Sequence, residues 1–155
     1  MMTNLSCNVI EKLAGKTLVT AESCTGGGIG AALTAIPGSS AVYKGGVICY
    51  TNWVKQNVLG IDEKTLFDCG AVSEPVAIQM AKGAQNALQS DIALSVTGLA
   101  GPTGDDYGNP VGTVFIGYCD RKKAYAKKFL FSGDREAVRA QAVKSALEIL
   151  LNELQ

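Results

Sequence analysis

The stretch Thr17 to Ala31, TLVTAESCTGGGIGA, decides how the chain folds. Leu18 to Ala21 is an apolar run. It leads into Glu22, Ser23, Cys24 and Thr25, then three consecutive glycines, then a second apolar pattern that opens at Ile29. That order predicts a strand, a tight turn and a helix start. Such a turn sets small polar side chains at a strand end and leaves the first N–H groups of the new helix directed at whatever occupies it. Gly26, Gly27 and Gly28 permit positive φ and close approach of a ligand. The plain alternative is a glycine-rich connection with no chemistry; the carboxylate, hydroxyl and thiol crowded into one turn argue against it.

Outward from this stretch, Leu5, Val9, Ile10 and Leu13 carry helical spacing, closed at Gly15. Ile29, Ala32, Leu33 and Ile36 make one helical face, so a helix is expected over Cys24–Ile36, ended by Pro37-Gly38. Gly45 to Thr51, GGVICYT, is apolar enough to read as a buried strand. Short helices are expected around Trp53–Leu59 and, capped by Asp62, over Glu63–Phe67. Ser73 is the expected N-cap of a helix to about Gln89, with Glu74 and Pro75 in its first turn. Asp91 to Val96 reads as a buried strand that ends in Thr97-Gly98. The segment from Gly98 to Pro110 is too rich in glycine and proline for regular structure. Val111–Tyr118 and Ala124–Phe131 read as strands joined by the polar turn Asp120–Lys123, hence antiparallel. A last helix is expected over Asp134–Leu154, with Val143, Leu147, Leu150 and Leu154 as its buried stripe.

Helices alternate with the first three strands, which implies parallel pairing, and the closing hairpin makes the sheet mixed. The expected fold class is α/β: a three-layer α/β/α sandwich on a mixed five-stranded sheet, as one domain over residues 1–155.

Composition restricts the chemistry. The chain has 155 residues, 47% hydrophobic and 18% charged, which suits a globular core. Fourteen basic residues balance fourteen acidic ones, so no global field or polybasic run is available for nucleic acid. The opening MMTNLSCNVIEKLAG lacks the apolar run of a signal peptide, and no stretch approaches the roughly 18 apolar residues of a membrane span. The five cysteines are odd in number and form no CxxC pair, which argues against a disulfide scaffold or zinc site and predicts a reducing cytoplasm. Histidine is absent. That removes every Ser-His and Cys-His arrangement and every histidine metal site. A nucleophile must take its base from a neutral lysine or a carboxylate.

In an open α/β sheet, ligands bind beyond the carboxyl ends of the parallel strands. Three polar groups stand there: Glu22-Ser23-Cys24-Thr25, Tyr50-Thr51-Asn52 with Lys55, and Thr97-Gly98 with the glycine loop. Ser23 is the candidate nucleophile, at a helix N-terminus able to stabilise an oxyanion. Lys55, one helical turn past its strand end, is the candidate base, provided burial lowers its pKa; its plain reading is a solvated charge. Tyr50 is placed to donate to the serine or the oxyanion, or is an amphipathic strand-end aromatic. Thr97 is a site residue or a simple strand-end cap. Cys24 is a rival nucleophile with nothing but the helix end to make it a thiolate. Glu22 orients its neighbours or caps the turn.

Three weaker patterns complete the reading. Gly26, Gly28 and Ala31 satisfy G-x-G-x-x-A, but no carboxylate stands at the end of the second strand, so NAD binding is disfavoured. No G-x-x-x-x-G-K-[ST] occurs. Arg135 and Arg139, one turn apart at the start of the last helix, suit a phosphate, or are solvated partners of Asp134 and Glu136.

The segments AESCTGG (21–27), KGGVICYTNWVK (44–55), GAVSEPVA (70–77), VTGLAGPTG (96–104), PVGTVFIG (110–117) and FSGDREAVR (131–139) together resemble the CinA C-terminal domain family over nearly the whole chain. The resemblance implies a stand-alone nicotinamide-nucleotide amidohydrolase activity: deamidation of nicotinamide mononucleotide to nicotinic acid mononucleotide and ammonia, in pyridine nucleotide salvage. It also implies a Ser-Lys mechanism with no metal or other cofactor. The matching catalytic residues are Ser23, Lys55, Tyr50 and Thr97. The substrate is then expected to contact Glu22, Cys24, Thr25, Gly26, Gly46, Gly98, Gly101, Arg135 and Arg139. A homodimer is the expected assembly, with a small nucleotide as partner and neither nucleic acid nor membrane.

This sequence departs from many relatives in the loop after AGP, where paired glycines and a lysine before PVG give way to Thr103-Gly104-Asp105-Asp106 and Asn109. Asp105 would set a negative charge where a phosphate-bearing substrate approaches. The molybdopterin-binding-like domain often fused ahead of this one is absent from the sequence, so at most the amidase half is expected. A silent nucleotide-binding or regulatory module that keeps the pocket is the competing expectation; the joint presence of Ser23, Tyr50, Lys55 and Thr97 favours the enzyme.

Overall fold

The structure, a computed structural model, describes residues 1–155. Its elements run α1 (Met2–Lys12), β1 (Leu18–Glu22), α2 (Gly28–Thr34), a 3-10 turn (Ser39–Ala41), β2 (Tyr43–Ile48), α3 (Asn52–Asn57), α4 (Glu63–Cys69), α5 (Glu74–Leu88), β3 (Ile92–Gly98), β4 (Thr113–Cys119), β5 (Ala124–Leu130) and α6 (Arg135–Glu153). The five strands form one mixed sheet in the order β2-β1-β3-β4-β5. β1 pairs parallel with β2 and β3; β4 and β5 continue antiparallel. The sequence expectation of a three-layer α/β/α arrangement holds.

Alternation along the strands builds the two outer layers. Leu18, Leu94, Val96, Val114 and Ile116 pack with residues of α1, α2 and α6, among them Val9, Leu33, Leu147 and Leu150. Val19, Ala21, Ala93 and Cys119 face the other way, onto Met80, Ala81 and Ala84 of α5 and Leu66 of α4. The helix α6 holds its place through Val138, Ala142, Val143, Ala146, Leu147, Ile149 and Leu150, all buried at spacings of three and four. Gly28 lets α2 approach it: a Cβ there would stand 2.9 Å from Val143 Cγ2. Asp62 and Asp134 cap α4 and α6, accepting from the N–H groups of Thr65 and Ala137.

Three local expectations need correction. The strand read over Gly45–Thr51 spans Tyr43–Ile48 and is not buried: β2 is a sheet edge, and its residues alternate between half-buried and exposed. The helix read from Cys24 starts only at Gly28, because Ser23–Gly27 forms a separate turn with Gly26 N–H donating to the Ser23 carbonyl and Gly27 at φ 100°. Ser73 occupies the N-cap position of α5, but its hydroxyl donates to the Gly70 carbonyl instead of accepting from the helix.

Candidate active site

Register brings the three strand ends level. Glu22 is the Cα partner of both Ile48 and Val96. The ladder extends one step further, with Ser23 N–H donating to the Val96 carbonyl and Cys49 N–H to that of Glu22. Ser23, Cys49 and Thr97 therefore stand side by side on the carboxyl edge. A cavity of about 350 Å³ opens above them. Ser23 and Cys24 form its floor, Tyr50, Asn52 and Lys55 one wall, and Ala71 and Val72 another. Thr97 to Gly101 with Thr103 and Gly104 supply the third, and Arg135 stands at the mouth.

Lys55 reaches the floor from α3, whose start is capped by the Thr51 side chain accepting from Val54 N–H. The lysine is only 2% exposed. Its Nζ lies 3.0 Å from Ser23 Oγ, donates to the Cys49 carbonyl at 2.8 Å and approaches that of Tyr50 at 3.5 Å. No carboxylate pairs with it. Burial pushes its pKa below the ordinary value, against a smaller opposing influence of Cys49 and Cys24. A neutral amine has two N–H bonds for the two carbonyls and one lone pair, which is left for the Ser23 hydroxyl proton.

Burial acts oppositely on Cys24, raising its thiol to about 11, so the neighbouring sulfur stays protonated near neutral pH. Thr97, 1% exposed, donates to the Ala71 carbonyl and so fixes the wall at Ala71–Val72. Arg135 donates to the Gly101 carbonyl at 2.6 Å and to the Tyr50 hydroxyl at 3.1 Å. It bridges two lips of the cavity with its charge at the entrance. Tyr50 is exposed and held at that rim.

Of the residues expected at the site, the structure brings Ser23, Lys55, Tyr50, Thr97, Cys24, Gly98, Gly101 and Arg135 to the cavity. Glu22, Thr25, Gly26, Gly46 and Arg139 do not line it. The buried Glu22 carboxylate accepts from Thr25 Oγ1 (2.7 Å), Ile29 N–H (2.8 Å) and Gly30 N–H (3.0 Å). The N–H groups of Ile29 and Gly30 in the first turn of α2 are thus already used, and of the helix start expected from Cys24 onward only the N–H groups ahead of α2 remain for an oxyanion. Cys24 N–H and Thr25 N–H, by contrast, meet no acceptor within the fold. Gly46 lies against Thr20 and the Tyr43 hydroxyl, inside β2–β1 packing. Arg139 donates to the carbonyls of Cys24 and Thr25.

Asp105 is also turned away. Its carboxylate accepts from the N–H groups of Tyr107 and Asn109 and from the Asn109 amide. Asn109 in turn donates to the Val72 carbonyl and Tyr107 to that of Phe67. The loop's negative charge is spent on the loop itself. Sequence reasoning missed Ala71 and Val72, which carry no polar side chain and contribute through main chain; the motif GAVSEPVA was the available signal. No helix is long and apolar enough to cross a membrane.

A model of the CinA C-terminal domain matches residues 3–154. The chain is 46% identical over 140 residues to nicotinamide-nucleotide amidohydrolase PncC of Escherichia coli K12, covering 90% of this chain and 85% of that protein. It is 48% identical over 139 residues to a CinA-like protein of Endomicrobium trichonymphae, of which it covers only 32%. The chain thus spans about a third of the length of that relative and 38% of a putative competence-damage inducible protein of Clostridium tetani. Among solved structures, a competence damage-inducible protein A of Klebsiella pneumoniae superposes with TM-score 0.96 at 39% identity, covering 99% of this chain and 96% of that one. A competence or damage-inducible protein of Enterobacter asburiae gives 0.97 at 35% identity, covering 100% and 99%.

Proposed function

Because the chain belongs to the CinA C-terminal domain family, we propose that it is an amidohydrolase that deamidates nicotinamide mononucleotide to nicotinic acid mononucleotide and ammonia, as the name of its PncC relative describes for that protein. The observation that carries the reading is the buried Lys55 amine 3.0 Å from Ser23 Oγ, with no carboxylate to keep it charged.

The chemistry follows from that pair. Ser23 Oγ attacks the carboxamide carbon while its proton passes to Lys55 Nζ. The carbonyl oxygen becomes an oxyanion, held by the N–H of Cys24 at the cavity floor and that of Thr25 directly behind it, neither of which has a main-chain acceptor in the fold. Lys55 then gives the proton to the departing nitrogen, the C–N bond breaks, and ammonia leaves an acyl-Ser23. Water attacks the acyl carbon, loses its proton to Lys55, and the serine oxygen regains it as the acid departs. Thr97 holds the wall at Ala71, and Tyr50 with Arg135 takes the charged end of the nucleotide at the mouth. The five free cysteines and the absence of a membrane-spanning helix support a cytoplasmic setting. The open β2 edge, with Ile48 and Trp53 exposed beside it, supports a homodimer.

The experiment is ammonia release from nicotinamide mononucleotide by the pure protein in the presence of a chelator. Binding of the nucleotide without turnover would replace this reading with that of a silent module.

A further inference from the structure

The turn that carries Ser23 is held from two sides by opposite charges, neither of which lines the cavity. Inside, the Glu22 carboxylate, 2% exposed, takes Thr25 Oγ1 and the first N–H groups of α2. Outside, Arg139 of α6 donates through Nε to the Cys24 carbonyl at 3.0 Å and through Nη2 to the Thr25 carbonyl at 3.3 Å. Arg139 has no carboxylate partner of its own.

The Cys24 carbonyl and the Thr25 N–H belong to one planar trans peptide, so they point in opposite directions. With the oxygen fixed on Arg139, the N–H is aimed away from it. Thr25 is only 2% exposed and sits directly behind the cavity floor formed by Ser23 and Cys24, yet this N–H finds no main-chain acceptor in the fold. Orphaned buried N–H groups are rare, and one beside a nucleophile calls for an acceptor that arrives with the substrate. A cation on the carbonyl end of a peptide also polarises it and strengthens the donor at the other end.

We infer that Arg139 is a positioning residue that aims and polarises the Cys24–Thr25 peptide as an oxyanion donor, and that it is not a ligand of the substrate phosphate. The inference rests on the Ser23 mechanism above but not on the identity of the substrate. It also separates the two arginines of the GDREAVR segment: Arg135 stands at the mouth, and Arg139 works from behind the turn.

Two readouts test it together. The first is kcat and KM for nicotinamide mononucleotide. The second is the rate at which a small alkyl fluorophosphonate labels Ser23, where an O–P bond forms, the P–F bond breaks, fluoride leaves and Lys55 takes the serine proton. That probe carries no nucleotide phosphate. Arg139→Gln is expected to lower kcat and the labelling rate together by about 10-fold or more, with KM within about twofold. Arg139→Lys should fall between, since an ammonium reaches one carbonyl and not two. Guanidinium ion added to Arg139→Ala should restore part of both rates.

A raised KM with unchanged labelling would make Arg139 a phosphate ligand and overturn the inference, as would wild-type values of both rates in Arg139→Gln. If the unmodified protein labels at Ser23 but releases no ammonia from the mononucleotide, the substrate reading fails while this inference stands on the labelling rates. If Ser23 of the unmodified protein is not labelled at all, both fall.

Discussion

Lys55 Nζ and Ser23 Oγ lie 3.0 Å apart at the carboxyl edge of the sheet, and the lysine is buried without a carboxylate partner. In the proposed mechanism this lysine is the base, and the pair can be dismantled one member at a time. Ser23→Ala should lower deamidation by about 10³-fold or more, in the range of nucleophile deletions elsewhere. Lys55→Ala should cost nearly as much, and Lys55→Arg should not rescue it, because a guanidinium stays protonated. Quenched-turnover mass spectrometry should find an acyl adduct on Ser23 of the unmodified protein. Substantial turnover by Ser23→Ala with no adduct would assign the attack to water or to Cys24.

The same burial gives stability a pH dependence with a definite sign. In the native state the Lys55 pKa is lowered by desolvation, while in the unfolded chain it returns to about 10.5. Between those two values the unfolded state binds a proton that the native state does not, so stability rises with pH across the window. Below the lowered native value the charged amine is a burden in both activity and folding. Lys55→Met lacks the group. Its melting temperature relative to the unmodified protein should be most favourable at low pH, and the difference should shrink as pH climbs toward 10.5. Activity of the unmodified protein should rise through the native value. A melting-temperature difference that is flat from pH 6 to 10 would show that Lys55 is charged in the fold.

What the sequence made legible is what local chemistry determines. The apolar run into Glu22-Ser23-Cys24-Thr25 sets a strand and its turn, and the rule that ligands sit beyond parallel strand ends then collects Lys55 and Thr97 without any coordinates. What it hid depends on non-local geometry. GGVICYT is apolar in composition, yet β2 lies at the edge of the sheet, a fact of strand order that the stretch itself does not carry. Arg135 and Arg139 look like one phosphate clasp because they are a turn apart. The placement of α6 against the Ser23 turn sends one to the cavity mouth and the other to the Cys24 and Thr25 carbonyls. Glu22, which the family resemblance made a substrate contact, is instead the turn cap that its position also suggested, with the N–H groups of Ile29 and Gly30 on its carboxylate.

Metal dependence is the next expectation. The chain contains no histidine, and no three of its cysteines and carboxylates cluster as a metal site. Turnover should therefore survive exhaustive chelation unchanged. Loss of activity on chelation, restored by zinc or manganese, would reject the Ser-Lys mechanism.

Arg135 should govern recognition more than rate. It spans the cavity mouth between the Gly101 carbonyl and the Tyr50 hydroxyl, with no carboxylate partner. Arg135→Ala should raise KM for nicotinamide mononucleotide by about 10-fold or more, the scale of one lost charge-assisted contact, while kcat and the melting temperature change little. Free nicotinamide, which lacks the phosphate, should be a poor substrate for the unmodified protein. Equal turnover of nicotinamide and its mononucleotide would remove Arg135 from the phosphate.

Asp105 provides the sharpest separation between what its sequence position implies and what its contacts do. A carboxylate in a loop beside a nucleotide site should repel the phosphate, and removing its charge should then improve KM. In the structure its oxygens face the loop. Burial alone would raise its pKa, but hydrogen bonds from the Asn109 amide and the N–H groups of Asn109 and Tyr107 outweigh that and hold it below the ordinary 3.8. The sign is that of a group whose stabilisation is present above the unfolded value and lost as pH falls through the lowered native one. The charge is therefore fully in place at working pH, and through Asn109 it ties the loop to the Val72 carbonyl on the cavity wall. Asp105→Asn keeps an acceptor for the two N–H groups and loses the second oxygen, which Asn109 Nδ2 requires. It should raise KM modestly, and Asp105→Ala should raise it more, with kcat less affected and the effect little changed by salt. A lower KM in Asp105→Asn, fading as ionic strength rises, would show that the carboxylate reaches the substrate after all.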